Sequence, residues 1–379
     1  MSGIAGVIHL DGPPVAAAGL EAMLAEMARR GPDRRQLLCQ GTAGFGHALL
    51  ATTPEARIES QPWQHPESGC VVVADSRLDN RAELARQLDL SGRPIDKIGD
   101  GELLHAAWQR WGDGCADRLR GDFAFALWNP RQLELFVARD PMGVRPFAFH
   151  YEPGRRFVFG STAEVVRAQG DVPRALNPHR IADALLGETE GIDATCTFYT
   201  AIQRLPPAHW LRLRAGQLSL QRYWRPVGDR PASLPRSEGE WIEAQRAQLD
   251  QSVRRRLRGD RPVGSMLSGG LDSSSVVALA AAARDSAGHA PFPVFSAVNS
   301  TDAGCAETRS IRAVVAHVRC APTLVDLPGF EQSTGLAKTW WNEAGEPFDG
   351  GLSLVAAVYA AAAAQGVTSL MDGVPADNL

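Results

Sequence analysis

Several common signatures are missing from this sequence, and each absence removes a class of function. Its six cysteines (Cys39, Cys70, Cys115, Cys196, Cys305, Cys320) form no C-x-x-C pair and have no histidine tract beside them. That argues against a zinc ribbon or a redox dithiol and for scattered reduced thiols. Neither sign of charge dominates: 39 Lys and Arg stand against 43 Asp and Glu, a net charge of −4. Nothing therefore marks a nucleic-acid or anionic-membrane partner, and a small-molecule or peptide substrate is expected. No charged-then-apolar leader opens the chain, and its longest apolar run, Leu352 to Ala364, is too short to span a bilayer. A cytoplasmic protein is expected. Lysine is also missing after the glycines of the one Gly-rich loop, which excludes the G-x-x-x-x-G-K-[ST] phosphate loop.

What is present centres on that loop. Residues 261–280, RPVGSMLSGGLDSSSVVALA, read as a short apolar strand, a Ser/Gly turn and an apolar helix without a gap. Gly269 and Gly270 let backbone approach an anion, Ser273 to Ser275 add hydroxyls, and the helix start offers free N–H groups with partial positive charge. Asp272 would repel a phosphate unless a cation such as Mg²⁺ bridged them, so the loop predicts a nucleotide bound with its metal.

At 379 residues the chain accommodates two domains. In the first half, strands are expected at 2–10, 44–50, 70–75, 124–128 and 134–139, with helices at 16–29, 81–88 and 103–111, a layered α+β pattern. Residues 226–240 are rich in Pro, Gly, Ser and charge and read as a linker between domains 1–225 and 241–379. The next helix carries Ile242, Leu249, Val253 and Leu257 on one face, with Arg254, Arg255, Arg256 and Arg258 on a solvated one. Beyond the loop, strands at 293–298, 323–327 and 367–371 alternate with helices at 307–319 and 352–364. That order predicts a doubly wound parallel sheet with its ligand at the carboxyl ends of the strands.

Specific motifs carry a resemblance. Ser268-Gly269-Gly270-Leu271-Asp272-Ser273 resembles the pyrophosphate loop of ATP pyrophosphatases, which attack ATP at its α-phosphate and release pyrophosphate. MSGIAG at 1–6, RGPD at 30–33, GDFAFALW at 121–128, ARDPMGVRP at 138–146, RLPPAH at 204–209 and RYW at 222–224 resemble the class II glutamine amidotransferase domain of asparagine synthetases. The resemblance implies an Ntn-type αββα sandwich followed by an adenine-nucleotide domain, with ATP and Mg as cofactors. It implies that Leu267, Ser268, Gly269, Gly270, Asp272, Ser273, Ala297, Asp372 and Gly373 bind ATP, and that Asp272 and Asp377 hold the metal. Asp100 would bind a substrate amino group. Glu346, in the Gly345-Glu346-Pro347 turn, would line the acceptor-carboxylate pocket or simply cap a helix; Glu307 would position a ligand or stabilise its own helix start.

Departures from the family pattern point away from glutamine. Residue 2, a cysteine nucleophile in the family, is Ser2; the substrate-carboxylate arginine falls in Gly46-His47-Ala48-Leu49; the oxyanion-hole Asn-Gly pair falls near Ala74-Asp75. Losing one oxyanion donor typically costs about 10²–10³ in rate. Where the family reads Ser-Gly-Glu-Gly-x-Asp-Glu, this chain reads Asp372-Gly373-Val374-Pro375-Ala376-Asp377-Asn378, so the glutamate thought to act on ammonia is Val374. The resemblance implies further helices past residue 379, including a lysine, so the chain is expected to be truncated. The expectation is a degenerate glutaminase site joined to an adenylating ligase that couples a small-molecule or peptide carboxylate to an amine, as in lasso-peptide macrolactam cyclases. A working serine glutaminase, true asparagine synthesis, a nucleotide-binding pseudoenzyme and a homodimer remain alternatives.

Overall fold

In a computed structural model, residues 1–188, 192–226, 237–302, 304–326 and 352–373 are described. They fall into two units, Met1–Asp229 and Arg230–Leu379.

The first unit contains two six-stranded sheets. One runs, edge to edge, Gln203–Arg204, Ala148–Glu152, Arg156–Gly160, Gly3–His9, Ala43–Leu49 and Arg34–Gln40; the other runs Gln217–Arg222, His209–Arg214, Glu134–Arg139, Gly121–Asn129, Val71–Leu78 and Trp63–Gln64. Every neighbouring pair is antiparallel. Strand alternation sorts side chains into layers. In the first strand Ile4 and Ile8 face the second sheet, joining Phe45, Phe159, Val71, Val73 and Val137 in a core between the sheets. Ala5 and Val7 face outward, under Leu20, Met23 and Leu24 of helix Ala17–Glu26 and Val165 and Val166 of helix Ala163–Arg167. On the far side, Val72, Ala74 and Phe125 pack beneath helices Arg81–Gln87, Asp100–Trp111 and Cys115–Arg118. The layers are therefore α, β, β and α, the expected Ntn-type sandwich.

In the second unit four parallel strands lie in the order Cys320–Asp326, Phe292–Val298, Val263–Met266, Ser369–Met371. Val294 and Val298 pack against helices Leu271–Ser286 and Ala306–His317 and against Val253 of helix Glu238–Arg256. Phe295 faces the opposite side, where Val358 and Ala362 of helix Leu352–Ala364 cover it. Helices on both faces make the sheet doubly wound. Strand order reverses direction between Val263–Met266 and Ser369–Met371, and a crevice at the carboxyl ends opens at such a switch point.

Two sequence expectations shift, and one strand appears where none was expected. Helix Glu238–Arg256 begins inside the 226–240 stretch read as linker, because Ser237 caps it by accepting the Glu240 N–H at 3.3 Å. Only part of its apolar stripe is buried: Val253 joins the core, whereas Ile242 and Leu249 line an open groove of about 380 Å³ with Ser275, Ala278 and Leu279. Strand Arg34–Gln40 has no alternation to read, since it is a half-buried edge strand.

Phe159 is fully buried and stacks on Phe147 with ring centroids 5.2 Å apart. Phe159→Ala should destabilise the first unit by about 3–5 kcal/mol, measured by denaturant unfolding.

Candidate active sites

The first site forms where the opening strand emerges between the sheets. Ser2 is buried. Its N–H donates to Asp75 Oδ1 at 3.2 Å, its carbonyl accepts from Arg30 Nε at 2.6 Å, and its Oγ accepts from the Leu50 N–H at 3.1 Å while facing the Leu50 carbonyl at 3.5 Å. Asp75 is more deeply buried and is compensated by Arg30 Nη2 at 3.1 Å and Arg145 Nη1 at 3.5 Å. Arg145 arrives on a tight loop nucleated by Asp140, whose carboxylate accepts N–H bonds from Met142, Val144 and Arg145. Burial pushes Asp140 above the usual carboxylate range, against those N–H bonds. Burial also lowers the Met1 amino group to about 5, against the pull of Asp75 and with the help of Arg145 and Arg30.

Groups expected to hold an amide substrate are otherwise engaged. Leu49 is buried where the resemblance places an arginine. The Ala74 N–H donates to Gln61 Oε1 at 2.7 Å, and the Ala74 carbonyl accepts from His47 Nε2 at 3.2 Å. Asp100 is buried, ion-paired with Arg81, and accepts from the Ser76 hydroxyl at 2.9 Å. The structure therefore brings Asp100 beside the residue following Asp75, with its carboxylate already paired. Beneath it the Gly101 N–H donates to Glu59 Oε1 at 2.6 Å; burial raises Glu59 to about 7, against the hydrogen bond from Gln61.

Arg30 and Arg145 went unassigned in the sequence, although both lie in quoted motifs. The legible signal was Asp75 itself, an acid in the apolar run Val71-Val72-Val73-Ala74, which requires cationic partners once buried.

The second site occupies the switch point of the parallel sheet. Ser268 N–H donates to Ser273 Oγ at 3.2 Å, the two hydroxyls lie 3.0 Å apart, and Ser273 Oγ reaches the Gly270 carbonyl at 3.3 Å, closing the loop over the helix start. Gly269 has φ +83°, and a Cβ there would meet the Glu307 carbonyl at 2.9 Å, so helix Ala306–His317 presses on the loop. Gly373 approaches from the other side: its Cβ would lie 2.8 Å from the Ser273 nitrogen and 2.9 Å from Asp272 Cβ. Ser265 Oγ donates to the Met371 carbonyl at 3.0 Å, tying the two strands of the switch point together. Of the nucleotide residues expected, the loop residues 268–273 and Gly373 are thus gathered at one crevice. Asp372 directly precedes Gly373, and Ala297 lies in the neighbouring strand, paired with Val325. Leu267 is buried and its N–H is used by the Phe295 carbonyl at 3.0 Å. Asp377 and Glu346 lie outside the described residues.

A sandwich of this layering, ahead of a doubly wound parallel sheet with a Ser/Gly loop at its switch point, defines a two-domain protein of an Ntn-type αββα domain followed by an α/β domain. Comparison with known proteins gives the family. The model for a glutamine amidotransferase domain matches residues 1–224 and that for asparagine synthase matches residues 244–379. The chain belongs to the asparagine synthetase family, of the kind that carries an amidotransferase domain first.

It is 29% identical to asparagine synthetase [glutamine-hydrolyzing] 3 of Bacillus subtilis, covering 73% of this chain and 44% of that protein. A putative asparagine synthetase of Mycobacterium bovis is 31% identical over 73% of this chain and 45% of its own length. Amidase chry2 of Gibberella zeae is 30% identical over 69% and 38%. The chain thus spans less than half the length of these relatives. Among solved structures, the glutamine phosphoribosylpyrophosphate amidotransferase of B. subtilis is similar at a TM-score of 0.43 and 17% identity, over 76% of this chain and 64% of that one. Among the described residues, no helix is long and apolar enough to cross a membrane.

Gly269→Ala must place a side chain at positive φ against the Glu307 carbonyl. It should destabilise the second unit by about 1 kcal/mol or more while leaving the first unit's unfolding transition unchanged, measured by thermal unfolding. His47 carries a second expectation. Burial lowers its pKa to about 4, from 6.5 in the unfolded chain, so between those values the unfolded state binds the extra proton and stability falls as pH drops. The slope is at most about 1.4 kcal/mol per pH unit, and His47→Gln should remove it, read from denaturant midpoints at pH 4.5 to 7.

Proposed function

We propose that this protein is an ATP-dependent ligase that adenylates a carboxylate, releases pyrophosphate and joins the acyl group to an amine already present in a peptide or small-molecule acceptor, without hydrolysing glutamine. The observation that carries the reading is the loop from Ser268 to Ser273 at the switch point, closed by its own serines and flanked by Gly373. Backbone N–H groups at the start of helix Leu271–Ser286 and the Ser268 and Ser273 hydroxyls are suited to a nucleotide's phosphates. Positive φ at Gly269 allows the backbone to come close to them.

A magnesium ion fits this site in a limited sense. Among the described residues no group of three potential ligands gathers, but Asp272 stands in the first turn of the helix, and Mg²⁺ commonly takes one or two carboxylates with phosphate oxygens and water. Asp272 would hold it, with Asp377 as the second carboxylate by resemblance; the ion would neutralise charge on departing pyrophosphate. Ser268 and Ser273 orient the phosphates, and Gly373, packed on Asp272, narrows the crevice beside them.

Loss of glutamine hydrolysis is supported at the first site. Ser2 Oγ is engaged by Leu50, and a buried carboxylate, Asp75, occupies the stretch where the resemblance expects an oxyanion-hole Asn-Gly pair. A second reading, formation of asparagine from aspartate and ammonia, is favoured by the names of the relatives described above.

Pyrophosphate release with ATP and Mg²⁺ separates these readings. The expected result is release with a candidate precursor peptide and none with aspartate and ammonia. The reverse pattern would establish asparagine synthesis, and ATP binding without pyrophosphate in either case would make the protein a nucleotide-binding pseudoenzyme. Glutamate release from glutamine that disappears in Ser2→Ala would overturn the loss of the glutaminase.

A further inference from the structure

The first site is closed from within. The N–H, carbonyl and hydroxyl of Ser2 each have a partner, and those partners come from separate segments: Asp75 on one strand, Arg30 after the first helix, and Leu50 at the end of another strand. Arg30 grips the joint twice, with Nε on the Ser2 carbonyl and Nη2 on Asp75. Arg145 adds a second cation to the same carboxylate. With Met1 retained, the Ser2 nitrogen is a peptide N–H; with Met1 removed it is an amine that the same carboxylate would keep protonated and therefore ineffective as a base. A negative charge forming on a substrate beside Ser2 would be repelled by the Asp75 carboxylate, a repulsion that Arg30 and Arg145 reduce but that an uncharged residue at position 75 would not exert.

We propose that Asp75 is a lock on the Ser2 pocket: through Arg30 and Arg145 it converts an amide-hydrolysing site into a sealed structural joint that refuses acyl substrates. Asp75 acts on Ser2 as a positioning residue, through the Ser2 nitrogen and not through its hydroxyl. The proposal deepens the loss of glutamine hydrolysis and rests on it.

A cysteine at residue 2 reports on the lock. In Ser2→Cys the thiolate would form beside Asp75, so alkylation by iodoacetamide should be slower, and its pH midpoint higher, than in the same variant without that carboxylate. In Ser2→Cys/Asp75→Asn the rate at pH 8 should rise at least tenfold and the midpoint fall by at least one pH unit, while Ser2→Cys/Asp75→Glu should behave as Ser2→Cys does. Simple loosening would speed alkylation without moving the midpoint. Intact mass shows whether Met1 is retained, and variants are compared in the same state. Equal rates within twofold, or an unmoved midpoint, would overturn the proposal.

Should the Asn variant fail to fold, Ser2→Cys/Arg30→Gln tests the same claim. Removing a cation from Asp75 should raise the midpoint, and an unchanged or lower one counts against the lock. Glutamate release is followed on the same proteins. Hydrolysis by the unaltered protein would remove the underlying reading, whereas rapid alkylation of the Ser2→Cys thiol beside an intact Asp75, with no hydrolysis, would remove only the lock.

Discussion

Burial of the first strand on both faces and both edges is the constraint on which the first unit depends. Gly3–His9 is bonded to Ala43–Leu49 on one side and Arg156–Gly160 on the other, with Ile4 and Ile8 in the core between sheets and Ala5 and Val7 beneath the helices. A one-residue slip would exchange those two sets and lose the fit of both layers. Because the strand cannot slip, Ser2 has a fixed address at the end of the sandwich, next to Leu50 and Asp75. The close contact of Gly6 with the Phe159 ring, where a Cβ would lie 2.2 Å away, shows how little freedom remains.

With that address fixed, the chemistry of residue 2 is decided by its neighbours. A buried carboxylate needs charge compensation, and Arg30 and Arg145 supply it at Asp75. The same pattern recurs at Asp100, paired with Arg81. Two carboxylates near the expected substrate position thus have cationic partners from the chain itself, which leaves the pocket electrostatically satisfied without a ligand. The second unit contrasts with this. Its loop is held by serine hydroxyls and by the close approaches of Gly269 and Gly373, with no buried ion pair, among the described residues, in the contacts that shape it.

Much of this was legible in the residue order. The strand–loop–helix at 261–280, the alternation beyond it and the strand at the chain's start could be read because their local periodicity and turn chemistry agree with the fold. The strands Ala148–Glu152, Arg156–Gly160, His209–Arg214 and Gln217–Arg222 escaped, since the exposed edge strand Gln217–Arg222 has little burial pattern and the others are runs of only five or six residues, too short for a period to show. The helix stripe at Ile242 and Leu249 suggested more burial than occurs, because periodicity tells which face is apolar and not whether anything covers it.

Sequence alone was enough to identify the phosphate-type loop, the family resemblance and the substitutions at residues 2, 49, 75 and 374. Those depend on residue identity and local spacing, which the chain carries directly. Tertiary structure decided that Asp75, Arg30 and Arg145 meet at Ser2, that Asp100 is paired with Arg81, and that Gly373 closes on Asp272. Each joins residues at least 19 positions apart in the chain, as with Arg81 and Asp100, and only sheet register and the switch point bring them within bonding distance. Residue type indicated which groups had lost their familiar partners, and packing determined which partners replaced them.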